Sequence, residues 1–196
     1  MSTKSLYSEN TDYSLPKEYT LSIFTENRIG LLNRITIIFT RRHVNIESIT
    51  ASESEVEGVY RYTIVIRCTR EKAIKVVNQI EKLVEVLKAF MHEEQETVYQ
   101  EIALYKISTA NLKNDGELEK VVRDNHARIL SVTPQYIVIE KTGHQNETQG
   151  LYMILKKFHV LEFGRSGRVA VTKPMKELSQ YLEEMEMINS EGINKY

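Results

Sequence analysis

Thr25-Glu26-Asn27-Arg28-Ile29-Gly30-Leu31-Leu32-Asn33-Arg34-Ile35 is the stretch whose reading decides the fold. Before it, Tyr19-Thr20-Leu21-Ser22-Ile23-Phe24 is β-branched and aromatic and alternates as a strand does. After it, Leu31, Leu32, Ile35, Ile38 and Phe39 recur at helical spacing. A strand therefore ends, the chain turns from Asn27 to Gly30, and a helix begins. Gly30 permits positive φ and lets another molecule approach the backbone, because no Cβ intervenes. The first helical N–H groups have no partner within the helix and lie at the positive end of its dipole. A small carboxylate suits such a place, and Asn27 can donate to it or accept from an ammonium group. The same residues would also serve as a plain strand–helix turn, with Asn as cap and Gly for steric reasons.

Outward from this turn, the pattern continues in a regular order. Arg41-Arg42-His43 closes the first helix, and Val44 to Ala51 reads as a second strand. Glu55-Val56-Glu57-Gly58 is a hairpin turn with Gly at a positive-φ position. Tyr60 to Ile66 forms a third strand, with Tyr60, Tyr62, Ile64 and Ile66 on one face. Thr69 caps a second helix whose expected stripe is Ala73, Ile74, Val77, Ile80 and Val84. A fourth strand covers about Glu85 to His92.

That βαββαβ order then repeats. A strand runs from about Val98 to Thr109, and Asn114-Asp115-Gly116-Glu117 has the form of a capping box opening a helix with Leu118, Val121 and Val122 inward. Ile129 to Val132 and Tyr136 to Ile139 make a hairpin broken at Thr133-Pro134. Leu151, Ile154, Leu155 and Phe158 mark a helix, and Val160 to Phe163 with Val169 to Val171 the closing strand. The expected fold class is α+β: two ferredoxin-like βαββαβ sandwiches and a C-terminal tail helix. The expected divisions are a disordered arm over 1–17, a first domain over 18–93, a second over 94–172 and a tail over 173–196. Pro174 would start the tail helix, with Leu178, Tyr181, Leu182, Met185 and Ile188 on one stripe.

Bulk composition removes several function classes. The 196 residues carry a net charge of −1, which gives no general attraction to nucleic acid or an anionic membrane. Apolar runs such as Ile35 to Phe39 are far below spanning length, and Met1 to Pro16 lacks the apolar core of a signal peptide. A single cysteine, Cys68, allows no internal disulfide and suits a reducing cytoplasm. The five histidines are scattered, without metal-site spacing. No phosphate loop, nucleophile elbow or dinucleotide fingerprint is present. Gly164-Arg165-Ser166-Gly167-Arg168 reads as a turn or as a place for an anion or a partner. A sheet covered on one side leaves its other face and its edges open. A second copy pairing through the second strand is therefore expected.

Several of these residues resemble a known family. Glu26-Asn27-x-x-Gly30-x-Leu32-x-Arg34 followed by Val44-Asn45-Ile46-Glu47-Ser48-Ile49 resembles an ACT domain. More closely, it resembles the small regulatory subunit of acetolactate synthase (acetohydroxyacid synthase). The likeness continues through Gln79 to Val86 and into Gln100 to Ile107, Ile129 to Pro134 and Gly164 to Gly167. It covers about residues 18 to 172. Ile29 stands where many ACT turns carry proline, and the arm and tail have no counterpart in short members.

The resemblance implies a non-catalytic chain that binds and activates a separate catalytic subunit. It also implies feedback inhibition by a branched-chain amino acid, most often valine, held between paired ACT domains. Effector-binding residues carried over by position are Asn27, Arg28, Ile29, Gly30, Leu31 and Leu32 from one copy, with Asn45 and Ile46 from the other. No cofactor is expected in this chain. Thiamine diphosphate and Mg, with FAD as a further candidate, are expected in the partner catalytic subunit. Two other readings stand beside this one. One is a free-standing ACT amino-acid sensor acting on another enzyme. The other is an RNA-binding module of the same βαββαβ order, against which the third strand lacks the stacking motif and the charge is not basic.

Overall fold

The structure is a computed structural model and describes residues 15–110, 112, 116–173, 180 and 183. It forms two compact units, the first holding residues 15–94 except Ser48–Ala51 and the second holding most of residues 95–173. The expected arm before residue 15, Asn114 and Asp115, and the stripe of the expected tail helix lie outside the described residues.

In the first unit, β1 (Lys17–Glu26), α1 (Leu31–Arg41), β2 (Ile46–Glu53), β3 (Val59–Cys68), α2 (Arg70–Ile80) and β4 (Val86–His92) follow the expected order. The sheet runs β2-β3-β1-β4, the ferredoxin-like arrangement. Register explains the core. Tyr19 lies opposite Ile66, Leu21 opposite Ile64 and Ile23 opposite Tyr62, so three successive rows on one face of the two central strands are apolar. Those rows pack with Leu31, Ile35 and Phe39 of α1 and Val76, Val77 and Ile80 of α2.

Four details differ from expectation. Lys17, expected in the arm, already pairs in β1 with Cys68. β2 starts at Ile46 rather than Val44, because the chain up to Val44 is used to stop α1. His43 adopts a left-handed φ of 52°. Its N–H donates to the Thr40 carbonyl at 3.1 Å, and that of Val44 to the Phe39 carbonyl at 3.0 Å, which satisfies carbonyls the helix end would leave open. In α2, Val76 rather than Ile74 is buried, since Ala73, Val76, Val77 and Ile80 share one stripe at 100° per residue. The helix ends at Ile80, and Val84 lies beyond it, 90% exposed. Finally, the sheet face away from the helices is not open in this unit. Thr20, Ser22, Thr63 and Val65 are buried there. Arg61 lies across the same face, donating to Ser22 Oγ at 3.1 Å with its guanidinium 5.4 Å from the Phe24 ring.

The second unit comprises β5 (Thr97–Ser108), α3 (Glu117–Asp124), β6 (Arg128–Val132), β7 (Tyr136–Gly143), α4 (Gln145–Leu155), β8 (Val160–Arg165) and β9 (Val169–Thr172). Its sheet runs β6-β7-β5-β8, with β9 also pairing with β5. Residues of β5 alternate buried and exposed along most of its length. Ala103, Tyr105 and Ile107 join Ile139, Leu151, Leu155 and Phe158 in the core. Ile154, expected inward, is 41% exposed, because the buried stripe of α4 runs through Thr148, Leu151 and Leu155. The expected capping box is replaced by Gly116 as N-cap of α3 at φ 72°, with no side-chain cap.

The closing strand is split into β8 and β9, which pair with opposite halves of β5. Ser166 bridges the break. Its N–H donates to the Ile102 carbonyl at 2.8 Å, and its Oγ accepts from the Ile102 N–H at 2.9 Å. Of the Gly164–Arg168 stretch expected as a turn, Gly164 and Arg165 instead continue β8, and only residues 166–168 form the break, across which Ser166 keeps the ladder satisfied.

Candidate functional site

The turn between β1 and α1 is built from Asn27, Arg28, Ile29 and Gly30, all exposed, with Ile29 standing fully in solvent. Gly30 is the N-cap of α1 at φ 83°, ψ −5°, and no described side chain caps the helix. A Cβ at Gly30 would meet nothing within 4 Å, so the requirement for glycine here is backbone conformation. The Leu31 N–H donates to the Arg28 carbonyl at 3.3 Å and the Arg34 N–H to the Gly30 carbonyl at 3.3 Å. The amides of Leu32 and Asn33, between them, precede any intrahelical acceptor and face outward uncapped. An anionic group of a ligand is the chemically matched occupant.

The expected residues divide into three sets. Asn27, Arg28, Ile29 and Gly30 form the open turn. Leu31 and Leu32 diverge: the Leu31 side chain is 1% exposed in the core, so it can offer a ligand only backbone, whereas Leu32 is 41% exposed beside the turn. Asn45 and Ile46 are elsewhere. Glu26 pairs with Val59 and Lys17 with Cys68, so Gly30 follows the end of the sheet where β3 begins. Ser54 N–H donates to the Val59 carbonyl at 2.8 Å, which puts the end of β2 at that same edge. The start of β2, with Asn45 and Ile46, is therefore at the far end, about 25 Å away along an eight-residue strand. One copy does not bring Asn45 to its own Gly30. Ile46 is partly buried against the first core, and the Asn45 amide donates to Glu47 Oε1 at 3.3 Å.

Charged groups rim the turn, and sequence reading missed one of them, Glu85. Arg28 Nε donates to Glu26 Oε2 at 3.0 Å. Arg34 in the first turn of α1 donates to Glu85, whose carboxyl is held below the usual carboxylate range by that bond. The Glu85 carbonyl accepts from the Glu26 N–H at 3.0 Å. Arg34 belongs to the quoted motif, but Glu85 is 51 residues away, and nothing local announces its arrival there.

The other candidates take structural roles. Burial pushes the Cys68 thiol up, away from nucleophilic use. His43, His126 and His159 each hold a left-handed φ at a helix end. Among the described residues no cluster of His, Cys, Asp and Glu could hold a metal ion, and no helix is long and apolar enough to cross a membrane.

Comparison with known proteins bears on both units. Residues 21–88 match the "AHAS small subunit-like ACT domain" family and residues 100–174 the "Small subunit of acetolactate synthase" family. The acetolactate synthase small subunit of Bacillus subtilis is 34% identical over 154 residues, 78% of this chain and 89% of that protein. The chain belongs to the acetolactate synthase small-subunit family. The probable small subunit of Methanothermobacter thermautotrophicus is 30% identical over 81% of this chain and 94% of its own length. The crystal structure of the Thermotoga maritima small subunit superposes with a TM-score of 0.74 at 28% identity. That match covers 82% of this chain and 99% of the Thermotoga chain. Within the family, the Gly30 turn lies in the ACT domain, and the split closing strand lies in the region of the second match.

Proposed function

We propose that this chain is the non-catalytic regulatory subunit of an acetolactate synthase. It binds and activates a separate catalytic subunit in the cytoplasm and confers feedback inhibition by a branched-chain amino acid, valine first among the candidates. Thiamine diphosphate, Mg and FAD chemistry would reside in that catalytic subunit. The observation that carries the reading is the uncapped start of α1 at a left-handed Gly30, in a chain of the small-subunit family.

The sheet topology supports a site shared between two copies. A twofold axis that sets two β2 strands antiparallel brings the second copy's Asn45 and Ile46 to the end of the sheet that carries Gly30. The effector carboxylate then takes the amides after Gly30, assisted by Asn27. Its ammonium takes backbone carbonyls or the Asn45 amide oxygen, and its aliphatic side chain lies on Leu32 and Ile46. Burying that side chain contributes about 1.5–3 kcal/mol, and each hydrogen bond to a charged group about 1.5–3 kcal/mol. Association and ordering cost about 4–15 kcal/mol, so micromolar to millimolar affinity results, in the range of a metabolite sensor. Control of the catalytic subunit requires that effector bind one arrangement of the paired domains better than another.

The test is thermal. Valine at millimolar concentration raises the Tm of the chain, and Gly30→Asp removes the shift, because its carboxylate takes the ligand's place and repels it. Asn45→Ala weakens valine binding about tenfold or more while co-purification with the catalytic subunit persists. A full valine shift in Gly30→Asp would refute the site.

A further inference from the structure

The helix side of the second unit is incomplete at one edge. β6 ends the sheet and pairs with β7 alone among the described strands. A bulge between Ile129 and Ser131 sets Ile129 opposite Ile139 and Val132 opposite Ile137, so the extra residue, Leu130, turns both apolar side chains to the core face. Ile139 on that face is fully buried, whereas Ile129 and Val132 stand 38% and 66% exposed. α3, eight residues long against eleven in α1, does not cover them. The result is a cavity of about 440 Å³ walled by Leu112, Leu118, Ile129, Val132 and Ile137. Among the described residues, Glu119 is the one charged group in its wall.

We propose that this cavity receives a bulky apolar side chain of the catalytic subunit, one that stands beside a lysine or arginine on that subunit. This rests on the regulatory reading proposed above and adds to it a place of contact. Three observations choose the occupant. The wall is aliphatic, and its volume is at the scale of sites that enclose a compact apolar group. An anchor seated there supplies the burial that Ile129 and Val132 lack within the chain. Charge selects the neighbour of that anchor. Glu117 is engaged by Lys157 Nζ at 2.6 Å, while Glu119 has no ion-pair or hydrogen-bond partner among the described residues. An uncompensated carboxylate beside an apolar recess favours a cation on the incoming surface. The same acids disfavour a free amino acid. Glu117 and Glu119 in the first turn of α3 already answer the positive end of its dipole and repel a carboxylate, whereas the first turn of α1 carries no acid. The cavity also lies within residues 100–174, the part matched by the acetolactate synthase small-subunit family, and the protein such a subunit serves is the catalytic one.

Binding of the full chain to the immobilised catalytic subunit of the same organism, followed by biolayer interferometry, measures the consequence. Val132 and Glu119 are both exposed, so Val132→Glu and Glu119→Lys keep the far-UV circular dichroism of the parent. Either one decides the matter if the other does not fold. Val132→Glu weakens binding at least tenfold, because it sets a second carboxylate where the apolar anchor sits. Glu119→Lys weakens binding at least tenfold and flattens its dependence on salt, which a merely structural role would leave unchanged. Both variants keep the valine-induced rise in Tm, so loss of the effector site and loss of the docking site read separately. Unchanged binding in either folded variant overturns the proposal and leaves the regulatory function standing. No binding by the parent refutes the regulatory partner itself, and the docking site with it. Tighter binding after truncation at Lys173 assigns the cavity to the chain's own residues 174–196. Loss of self-association in Val132→Glu, by sedimentation velocity, assigns it to a second copy. Either of these last results overturns the proposal.

Discussion

The two units share one topology and use it differently. Each places its first helix after a glycine at positive φ, Gly30 at 83° and Gly116 at 72°, with no described side-chain cap at either. Each stops that helix at a left-handed histidine, His43 or His126. The paired N–H donors that follow run to equivalent carbonyls: Val44 to Phe39 at 3.0 Å and Ala127 to Val122 at 2.9 Å. What separates the units is the sheet. In the first, Thr20, Ser22 and Val65 are buried on the side away from the helices, and β4 is one strand. In the second, the corresponding side exposes Val98, Ile102 and Leu104, and the closing strand breaks at Ser166. The repeated fold thus differs in burial: the first unit covers the sheet side away from its helices, and the second leaves it exposed.

The sharpest way to break this comparison is to truncate one residue from each sheet. Ile64 is fully buried in β3 against α1 and α2, so Ile64→Ala costs about 2–5 kcal/mol by urea denaturation. Leu104→Ala, on the open face of β5, changes the stability of dilute, dissociated protein by no more than about 0.5 kcal/mol. A cost at Leu104 equal to that at Ile64 in dilute protein means that the chain itself covers the second face, and the contrast disappears.

A middle-sized effect separates the two turns. Both glycines hold left-handed backbone, and a Cβ meets no atom within 4 Å at Gly30 and only the Glu119 carboxylate, at 3.8 Å, at Gly116. Gly30→Ala and Gly116→Ala therefore each cost about 1–2 kcal/mol from backbone conformation alone. Valine titration then tells them apart. Gly30→Ala loses most of the valine-induced rise in Tm, whereas Gly116→Ala keeps it in full. Equal losses would mean that effector and turn are unrelated.

Much of the fold is legible in the letters because its determinants are local. Alternation in Tyr19 to Phe24 and in Tyr60 to Ile66, the Thr69 cap and Gly58 each act within a few residues, and each appears where the pattern puts it. The misreadings come where distant residues decide. Val84 continues a helical period in sequence, but α2 has already stopped at Ile80. His43 and His126 carry no signal of left-handed geometry, since glycine is the residue that normally announces it. Arg61, 39 residues on, reaches across the sheet to donate to Ser22 Oγ on the face where Thr20 and Ser22 are buried, and no local pattern announces it. At the candidate site, Asn27 to Gly30 can be read directly. That Leu31 points inward while Leu32 points out is a matter of helix phase, which the apolar pair alone leaves ambiguous.

The smallest predicted effect probes the second core from inside. Tyr105 is fully buried on β5, and its hydroxyl donates to the Thr148 carbonyl of α4 at 2.6 Å, tying sheet to helix. Tyr105→Phe keeps the ring packed and removes that one bond, at a cost of about 0.5–1.5 kcal/mol. Burial pushes the Tyr105 hydroxyl up to about 12, against the opposing pull of Arg165. Below pH 10 folded and unfolded chains both keep the proton, and Tyr105 contributes no slope. Between pH 10 and about 12 the unfolded chain ionises there and the folded chain does not, so stability falls as pH rises. Urea midpoints measured from pH 9 to 11.5 therefore decline less steeply in Tyr105→Phe than in the parent. The first unit offers the internal control: Tyr62 is also raised by burial and keeps its own share of the slope in either protein. Parallel pH profiles for parent and variant would show that Tyr105 ionises as freely in the fold as out of it, and that the second core is wetter than the first.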